Sequence, residues 1–327
     1  MTERRRDPTT GEWRMFAGHR QDRTFLPSEG HCPLCPTRPG MQPTEVPFPS
    51  FDVAVFENRF PALMRDPPLP AVASSPLYGV APSVGANEVI VYSDDHEVGV
   101  QQMDVPRIVG LIEVWADRYA ELGAREEVAY VFIFENRGVA VGVTLHHPHG
   151  QIYAYPEVPP RPRLELDTAI AHMARHGTCV FCDVVAREVA DGLRVVAQNR
   201  SFVAFVPFAA RFPYEVHVVS RRHTASLLDL TDPERTALAE LLKPLLLGYD
   251  ALFGFPLPYV MSMHQAPADG GQHQPVSHFH IEFTPLHRTA EKLKYLAGSE
   301  LGAGAFINDT VPEMTAARLR EAVAEGA

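Results

Sequence analysis

This chain of 327 residues carries the same order of motifs twice. In each half a C-x-x-C pair precedes a strand that ends at a histidine, and an amphipathic helix and a strand with His-x-His follow. Two units that share a motif order indicate an internal duplication, and loop insertions account for the unequal spacings. We therefore expect two units, an N-terminal one at residues 1–165 and a C-terminal one at residues 166–327.

Residue periodicity assigns these motifs to helices and strands. Apolar residues at helical spacing predict helices over 106–122 and 233–253, with Pro244 as the expected position of a kink in the second. The dipeptide Thr10-Gly11 predicts a hairpin turn near the N-terminus. Shorter patterns predict a helix over 183–189 and strands over 51–56, 87–92, 128–134, 194–198, 202–206, 215–220, 259–264 and 278–284.

The first His-x-His strand carries the string His147-Pro148-His149-Gly150-Gln151. In an extended chain His147, His149 and Gln151 share one face, because side chains alternate along a strand. A neutral imidazole is a good nucleophile toward phosphorus and a good zinc ligand. A glutamine can donate a hydrogen bond to a phosphate oxygen but cannot shuttle a proton. The string therefore predicts a nucleophilic site that handles phosphate.

The four cysteines form two pairs of equal spacing, Cys32 with Cys35 and Cys179 with Cys182. In a chain without a secretion signal such pairs indicate metal or redox sites rather than a disulfide framework. Neither pair has the βαβ context of a thioredoxin-like motif. Thiolates joined by imidazoles suit zinc, so both pairs predict metal sites.

Composition excludes several classes of function. The net charge of −11 disfavours binding to nucleic acid or to anionic membranes, which requires a basic surface. No run approaches the roughly eighteen apolar residues of a membrane span, and no apolar stretch follows the N-terminal arginines as in a signal peptide. We expect a globular cytoplasmic protein.

The string HPHGQ followed by Ile152 resembles the active-site signature of the galactose-1-phosphate uridylyltransferases, the transferase branch of the histidine-triad superfamily. The resemblance implies an α+β fold of two tandem histidine-triad-like units, each an antiparallel sheet with packed helices, related by a pseudo-twofold axis. It implies that His149 attacks UDP-glucose and passes UMP to galactose 1-phosphate through a uridylyl-histidine, in galactose metabolism. Members are typically homodimers. Only the first unit keeps the string, so only that unit is expected to be catalytic.

The resemblance also implies metal ligands. Cys32, Cys35, His96 and His147 match a structural zinc site of the family. By the repeat, Cys179, Cys182, His223 and His278 form the preferred second zinc set. The alternative follows familiar bacterial members, whose iron or zinc site matches Glu165, His264, His278 and His280.

Substrate contacts are carried over in the same way. Arg20 and Arg23 match residues at the nucleotide phosphates or base, Asn58 a uridine contact, and Asn136 and Thr144 positions near the α-phosphate. Gln151 is expected on the transferred phosphoryl group.

Near the C-terminus, Lys294 is expected at the sugar phosphate and Glu300 at the sugar hydroxyls. Arg59, Ser299 and Phe306 depart from the family pattern, and Asn308 with Asp309 is expected to supply the missing polar contacts.

Three other functions fit the motifs less well. An ADP-glucose phosphorylase belongs to the same branch and has two zinc sites. A zinc-stabilised nucleotide-binding protein without catalysis would have no need of an unliganded nucleophile. A dinucleoside-phosphate hydrolase would carry a third histidine in place of Gln151.

Overall fold

The computed structural model describes residues 2–22, 27, 31–40 and 42–326. Its strands are β1 Thr2–Arg6, β2 Trp13–Ala17, β3 Ala54–Glu57, β4 Val80–Pro82, β5 Ala86–Val91, β6 Tyr130–Arg137, β7 His149–Tyr155, β8 Val195–Gln198, β9 Phe202–Phe205, β10 Val216–Ser220, β11 Tyr259–His264 and β12 His280–Pro285. Its α-helices are α1 Val105–Gly123, α2 Pro160–His176, α3 Val180–Asp191, α4 Asp232–Phe253 and α5 Pro312–Gly326.

Nine of the strands in the described residues form one sheet in the order β3-β5-β7-β6-β11-β12-β10-β9-β8. All neighbours are antiparallel, and the four strands from the first half are followed by the five from the second. The halves join where β6 pairs with β11, from Arg137 opposite Tyr259 to Ile133 opposite Met263. The expected α+β fold of two histidine-triad-like units is confirmed, and the two antiparallel sheets are continuous.

One face of the sheet holds the main hydrophobic core. Helices α1 and α4 cover it, with Trp115 and Leu245 fully buried beside strand residues such as Ile90. Helix α1 begins after Asp104, whose carboxylate accepts a 2.9 Å hydrogen bond from the backbone N–H of Arg107 and so caps the helix. The two long predicted helices are confirmed, and α4 continues through Pro244.

Several elements differ from the sequence-based expectations, and helix α2, helix α5 and strand β4 were not predicted. Helix α2 begins at Pro160 and has Pro162 in its first turn; proline is favoured at the start of a helix, where its missing N–H would have no partner. The strand predicted over 51–56 begins only at Ala54. No helix among the described residues is long and apolar enough to cross a bilayer.

A small sheet of order β2-β1-β4 carries the N-terminus. The predicted hairpin joins β1 and β2, with Gly11 in its turn at a φ of +77°, where glycine has no steric penalty. Arg4 of β1 is ion-paired with Glu157, just beyond β7. This pair ties the small sheet to the end of the strand that carries HPHGQ.

The face of the large sheet opposite α1 and α4 is called the functional face here. Cross-strand partners lie on the same face, so one row runs across it: Gln151, Phe134, Ser262, Glu282 and His217. Both His-x-His strands therefore present their alternate side chains to the same side of the molecule.

Candidate active site and metal centres

Strand β7 lies between β5 and β6 in the first half of the sheet. His149 and Gln151 are half-buried on the functional face, and Gly150 is buried on the opposite face. The alternation expected from the string is observed. Pro148, which cannot donate to a sheet ladder, stands just before the first residue of the strand, as its chemistry requires.

A backbone carbonyl fixes the orientation of His149. Its Nδ1 lies 2.8 Å from the carbonyl oxygen of His147. Because a carbonyl only accepts, Nδ1 carries the proton and Nε2 keeps its lone pair. Burial lowers the pKa of His149 below its usual value, so the ring stays neutral near pH 7. This is the tautomer and charge state of a nitrogen nucleophile.

The first predicted metal set comes together in space. The ligand atoms of Cys32, Cys35, His96 and His147 all lie within 4.8 Å of one another. The sulfur of Cys35 is 3.4 Å from Nδ1 of His96 and 3.5 Å from Nδ1 of His147. Nε2–H of His147 donates to the carbonyl of Ser93 at 2.8 Å, which turns the Nδ1 lone pair toward the sulfurs.

The chemistry of this set fits a divalent cation. Burial, with Cys32 beside it, raises the pKa of the Cys35 thiol to about 11, so this thiol would not ionise near pH 7 without a positive charge beside it. Two thiolates and two neutral imidazoles are the donor set of a closed tetrahedral site. The four residues can therefore hold a metal in a structural role.

The second Cys pair repeats this geometry. The ligand atoms of Cys179, Cys182, His223 and His278 again lie within 4.8 Å of one another. The sulfur of Cys182 is 3.5 Å from Nδ1 of His223 and 3.6 Å from Nδ1 of His278. Nε2–H of His278 donates to the carbonyl of Ser220 at 2.8 Å. Burial raises the pKa of Cys182 to about 12, so this thiol also requires a cation beside it to ionise near pH 7.

The alternative second set is not the observed arrangement. His278 faces the sulfurs, and the residue that joins Glu165, His264 and His280 is Glu282, with ligand atoms within 4.8 Å of one another. Nδ1 of His264 is 2.7 Å from a carboxylate oxygen of Glu165. Glu282 was not predicted as a site residue, although it stands two residues after His280 as Gln151 stands two after His149.

The two predicted nucleotide arginines have different outcomes. Arg20 lies in the 3₁₀ helix Gly18–Asp22 and donates to the hydroxyl of Tyr153 at 3.1 Å and to the carbonyl of Phe60 at 3.3 Å. Tyr153 is on β7, two residues beyond Gln151 on the functional face, so Arg20 borders the row of the nucleophile. Arg23 lies outside the described residues.

The predicted α-phosphate contacts lie near β6 and β7. Asn136 is half-buried on β6, two residues beyond Phe134, the partner of Gln151. Thr144 is half-buried in the loop that leads to β7.

Asn58 lies at the end of β3, where its side-chain oxygen accepts a 2.9 Å hydrogen bond from the Phe60 N–H. Arg59 beside it is exposed and ion-paired with Glu45 at 3.1 Å.

The predicted hexose-phosphate loop is folded on itself. The ammonium of Lys294 lies 2.9 Å from a carboxylate oxygen of Glu300, so the two predicted substrate residues face each other. Ser299 donates to the carbonyl of Ala305 at 2.7 Å.

The ring of Phe306 packs against Phe212 with ring centroids 5.7 Å apart. The amide of Asn308 donates to the carbonyls of Ala210 and Phe212 at 3.0 and 3.2 Å. The loop therefore rests on the second unit, and Asn308 serves the fold there.

Comparisons with known proteins agree along the whole chain. The family galactose-1-phosphate uridyl transferase matches with its N-terminal domain over residues 1–159 and its C-terminal domain over residues 165–326. The galactose-1-phosphate uridylyltransferase of Thermotoga maritima is 39% identical, over 99% of this chain and 100% of that protein. The Streptomyces lividans enzyme of the same name is 35% identical, over 98% and 87%.

Solved structures give the same result. A uridylyltransferase structure superposes with a TM-score of 0.89 at 38% identity, over 99% of each chain. An ADP-glucose phosphorylase from Arabidopsis thaliana with bound ADP-glucose superposes with a TM-score of 0.73 at 25% identity, over 98% of each chain.

Proposed function

The chain belongs to the galactose-1-phosphate uridylyltransferase family, and we propose that it transfers UMP from UDP-glucose to galactose 1-phosphate through a covalent intermediate on His149. The observation that carries this proposal is the 2.8 Å hydrogen bond from Nδ1 of His149 to the carbonyl of His147. It leaves Nε2 unprotonated on the functional face, where a phosphorus atom can approach.

The reaction proceeds in two displacements. Nε2 of His149 forms a bond to the α-phosphorus of UDP-glucose, and glucose 1-phosphate leaves with the electron pair of the broken P–O bond. A phosphate oxygen of galactose 1-phosphate then attacks the same phosphorus, the N–P bond breaks, and the electron pair returns to Nε2. Because a phosphate ester leaves without protonation, positioning and charge stabilisation carry the barrier.

The neighbours of His149 support these steps. The Nδ1–H bond to the His147 carbonyl stabilises the positive charge that the ring acquires when Nε2 is uridylylated. The amide of Gln151 is proposed to donate to a non-bridging oxygen of the transferred group. A histidine there, as in Gln151→His, is expected to weaken transfer relative to hydrolysis.

The nucleotide is proposed to lie along the functional face. Arg20 and Arg23 would neutralise its phosphates, Asn58 would contact uridine, and Asn136 and Thr144 would hold the α-phosphate.

In the C-terminal loop, Lys294 and Glu300 would have to exchange their mutual ion pair for contacts to the sugar phosphate. This makes their predicted role conditional on movement of the loop.

The two Cys2His2 sets are proposed to hold zinc in a structural role. Zinc has no redox chemistry of its own in such closed sites. Here it would bind His147 and His278 and so fix the starts of β7 and β12, the strands that carry His149 and His280. A homodimer, a cytoplasmic location and a division of the chain near residue 165 stay predictions.

A second candidate function is phosphorolysis of ADP-glucose. The superposition on the ADP-glucose phosphorylase of Arabidopsis thaliana favours it, since that match covers 98% of each chain. The covalent chemistry at His149 would be the same, with adenylyl in place of uridylyl. The nucleobase contact is therefore what separates the two functions.

Intact-mass measurement tests the proposal directly. The metal-loaded protein is mixed with UDP-glucose, and in parallel with ADP-glucose. A gain of one UMP that is absent from His149→Ala is expected, and His176→Ala, which removes an exposed histidine of α2, should keep it. A gain of AMP alone would replace the first function by the second. No adduct from either donor would contradict both.

A further inference from the structure

A polar cluster lies directly behind the nucleophile, on the core side of the sheet. Tyr92, Glu135 and Tyr259 are 1%, 6% and 1% exposed. The hydroxyl of Tyr92 lies 3.4 Å from one carboxylate oxygen of Glu135, and the hydroxyl of Tyr259 lies 3.5 Å from the other. Trp115 packs edge-on against Tyr92. Burying a carboxyl group in such a core costs free energy, so the presence of Glu135 there indicates a role for it.

The cluster touches the catalytic strand at Gly150. A Cβ added to Gly150 would come within 2.4 Å of the Tyr92 hydroxyl oxygen and within 3.2 Å of Cζ of the same ring. The φ of Gly150 is not positive, so it is close approach and not backbone conformation that requires glycine here. The Tyr92 hydroxyl thus occupies the space that a side chain between His149 and Gln151 would fill.

The second unit provides an internal comparison. The strand pairings superimpose residue by residue, so that Ile281 takes the place of the glycine, between His280 and the glutamate that matches Gln151. In the same register Met263 matches Glu135, and Ser220 matches Tyr92. The hydroxyl–carboxyl contact behind a glycine is therefore built behind the nucleophile, whereas Met263 and Ile281, at the positions that match Glu135 and Gly150, belong to the hydrophobic core.

We infer that Tyr92, held by Glu135, is a positioning residue for the nucleophile: its hydroxyl supports the backbone at Gly150 and fixes the height of His149 and Gln151 above the sheet. This inference rests on the proposed function. Because Gly150 has no side chain, strand β7 can lie close to the Tyr92 hydroxyl on the core side of the sheet. The distance from Nε2 to the phosphorus depends on that height, and displacements of about 1 Å can cost about a hundredfold in rate.

The contact can be tested by a cycle of Gly150→Ala, Tyr92→Phe and the double variant. The readouts are the single-turnover rate of His149 adduct formation, the half-saturating UDP-glucose concentration and the thermal midpoint. Gly150→Ala is expected to slow adduct formation about a hundredfold, with half-saturation changed less than about threefold. The double variant should recover at least about tenfold, because it removes the atom at 2.4 Å and leaves the next contacts at 3.2 Å.

A merely structural role would change the thermal midpoint and leave the rate of the folded protein unchanged. The matched control is Ile281→Val in the second unit, which should lower the midpoint slightly and keep the adduct rate. Should Gly150→Ala fail to fold, Tyr92→Phe alone carries the test, with an expected three- to tenfold slower adduct formation at unchanged half-saturation.

The outcomes separate a failure of the inference on Tyr92 from a failure of the proposed function. If the unmodified protein forms an adduct and the double variant is no faster than Gly150→Ala, the inference is overturned and the proposed function stands. If Tyr92→Phe forms the adduct at the rate of the unmodified protein, the inference is overturned as well. If the unmodified protein forms no adduct with UDP-glucose or ADP-glucose, both are overturned.

Discussion

His147 holds His149 through its backbone and faces the cysteine sulfurs through its ring. The carbonyl oxygen of His147 accepts the 2.8 Å hydrogen bond from Nδ1 of His149, while its own Nδ1 lies 3.5 Å from the sulfur of Cys35. The same residue therefore belongs to the metal set and orients the nucleophile. Loss of the metal from the first set should therefore disturb the orientation of His149 through His147, which contacts both Cys35 and His149.

Removal of one thiolate from each metal set should have unequal effects. Cys35→Ser is expected to lose about one metal equivalent and to slow adduct formation roughly 10–100-fold, since His147 loses the ion that fixes it. Cys182→Ser is expected to lose about one equivalent as well, yet to keep the adduct rate within about threefold, because β12, the strand that follows His278 of this set, carries no nucleophile. Elemental analysis and single-turnover kinetics measure the two effects. Equal rates in both variants would contradict the coupling through His147.

Arg20 is expected to act on binding of the donor. Arg20→Ala should raise KM for UDP-glucose about tenfold to a hundredfold with little change in kcat, because a charge-assisted hydrogen bond to the phosphates is lost in ground and transition state alike. Arg175→Ala, an exposed arginine on α2, controls for the long-range effect of charge in a chain of net charge −11. Steady-state kinetics at several ionic strengths provide the measurement, and equal shifts in both variants would argue against a direct contact.

The fall in the single-turnover rate of adduct formation at acid pH should report the protonation of His149. Burial lowers the pKa of His149, so the neutral nucleophile persists below the usual value of 6.5. The single-turnover rate is expected to be flat from about pH 8 to about pH 6.5 and to fall only in more acidic solution. A rate that already falls between pH 8 and pH 7 would show that the free ring titrates at a raised pKa, contrary to its burial.

Glu135 should make stability depend on pH in an unusual direction. Burial raises its pKa from 4.5 to about 7, and Arg137, paired with Asp250, only partly opposes this. The folded state then holds a proton that the unfolded chain releases above pH 4.5. The contribution is thus complete below that pH and is lost as the pH rises through 7.

This loss amounts to up to about 3 kcal/mol for a shift of that size. Urea unfolding of the metal-loaded protein and of Glu135→Gln, from about pH 4.5 to about pH 7.5, measures this loss. The difference between their free energies of unfolding should change over that range. A constant difference would mean that Glu135 is already ionised at the acid end.

The repeat made much of the site predictable. Each Cys pair, its strand-end histidine and its His-x-His strand follow one another in the same order, and the close packing of both sets follows from that order. Helices α1 and α4 were predictable because apolar residues recur every three or four positions over about five turns in α1 and about six turns in α4. Residue periodicity and motif spacing along the chain are enough to predict the long helices and the members of the metal sets.

Contacts that depend on register were not predictable. Glu282 reaches His264 only because β12 pairs with β11 in one particular register. The approach of Tyr92 to Gly150 joins residues far apart in the chain, and the ion pair of Lys294 with Glu300 depends on how the loop closes. A single sequence fixes which side chains share a face, and tertiary packing decides which of them meet.

The pairing of β6 with β11 has a consequence for synthesis on the ribosome. Arg137 and Tyr259 are partners across the junction and are separated by 122 residues of chain. At roughly 5–20 residues per second, the first unit emerges with an unpaired edge for about ten seconds. A nascent strand rich in aromatic residues is then exposed to pairing with other chains. We expect newly made first units to depend on chaperones until β11 arrives to close the sheet.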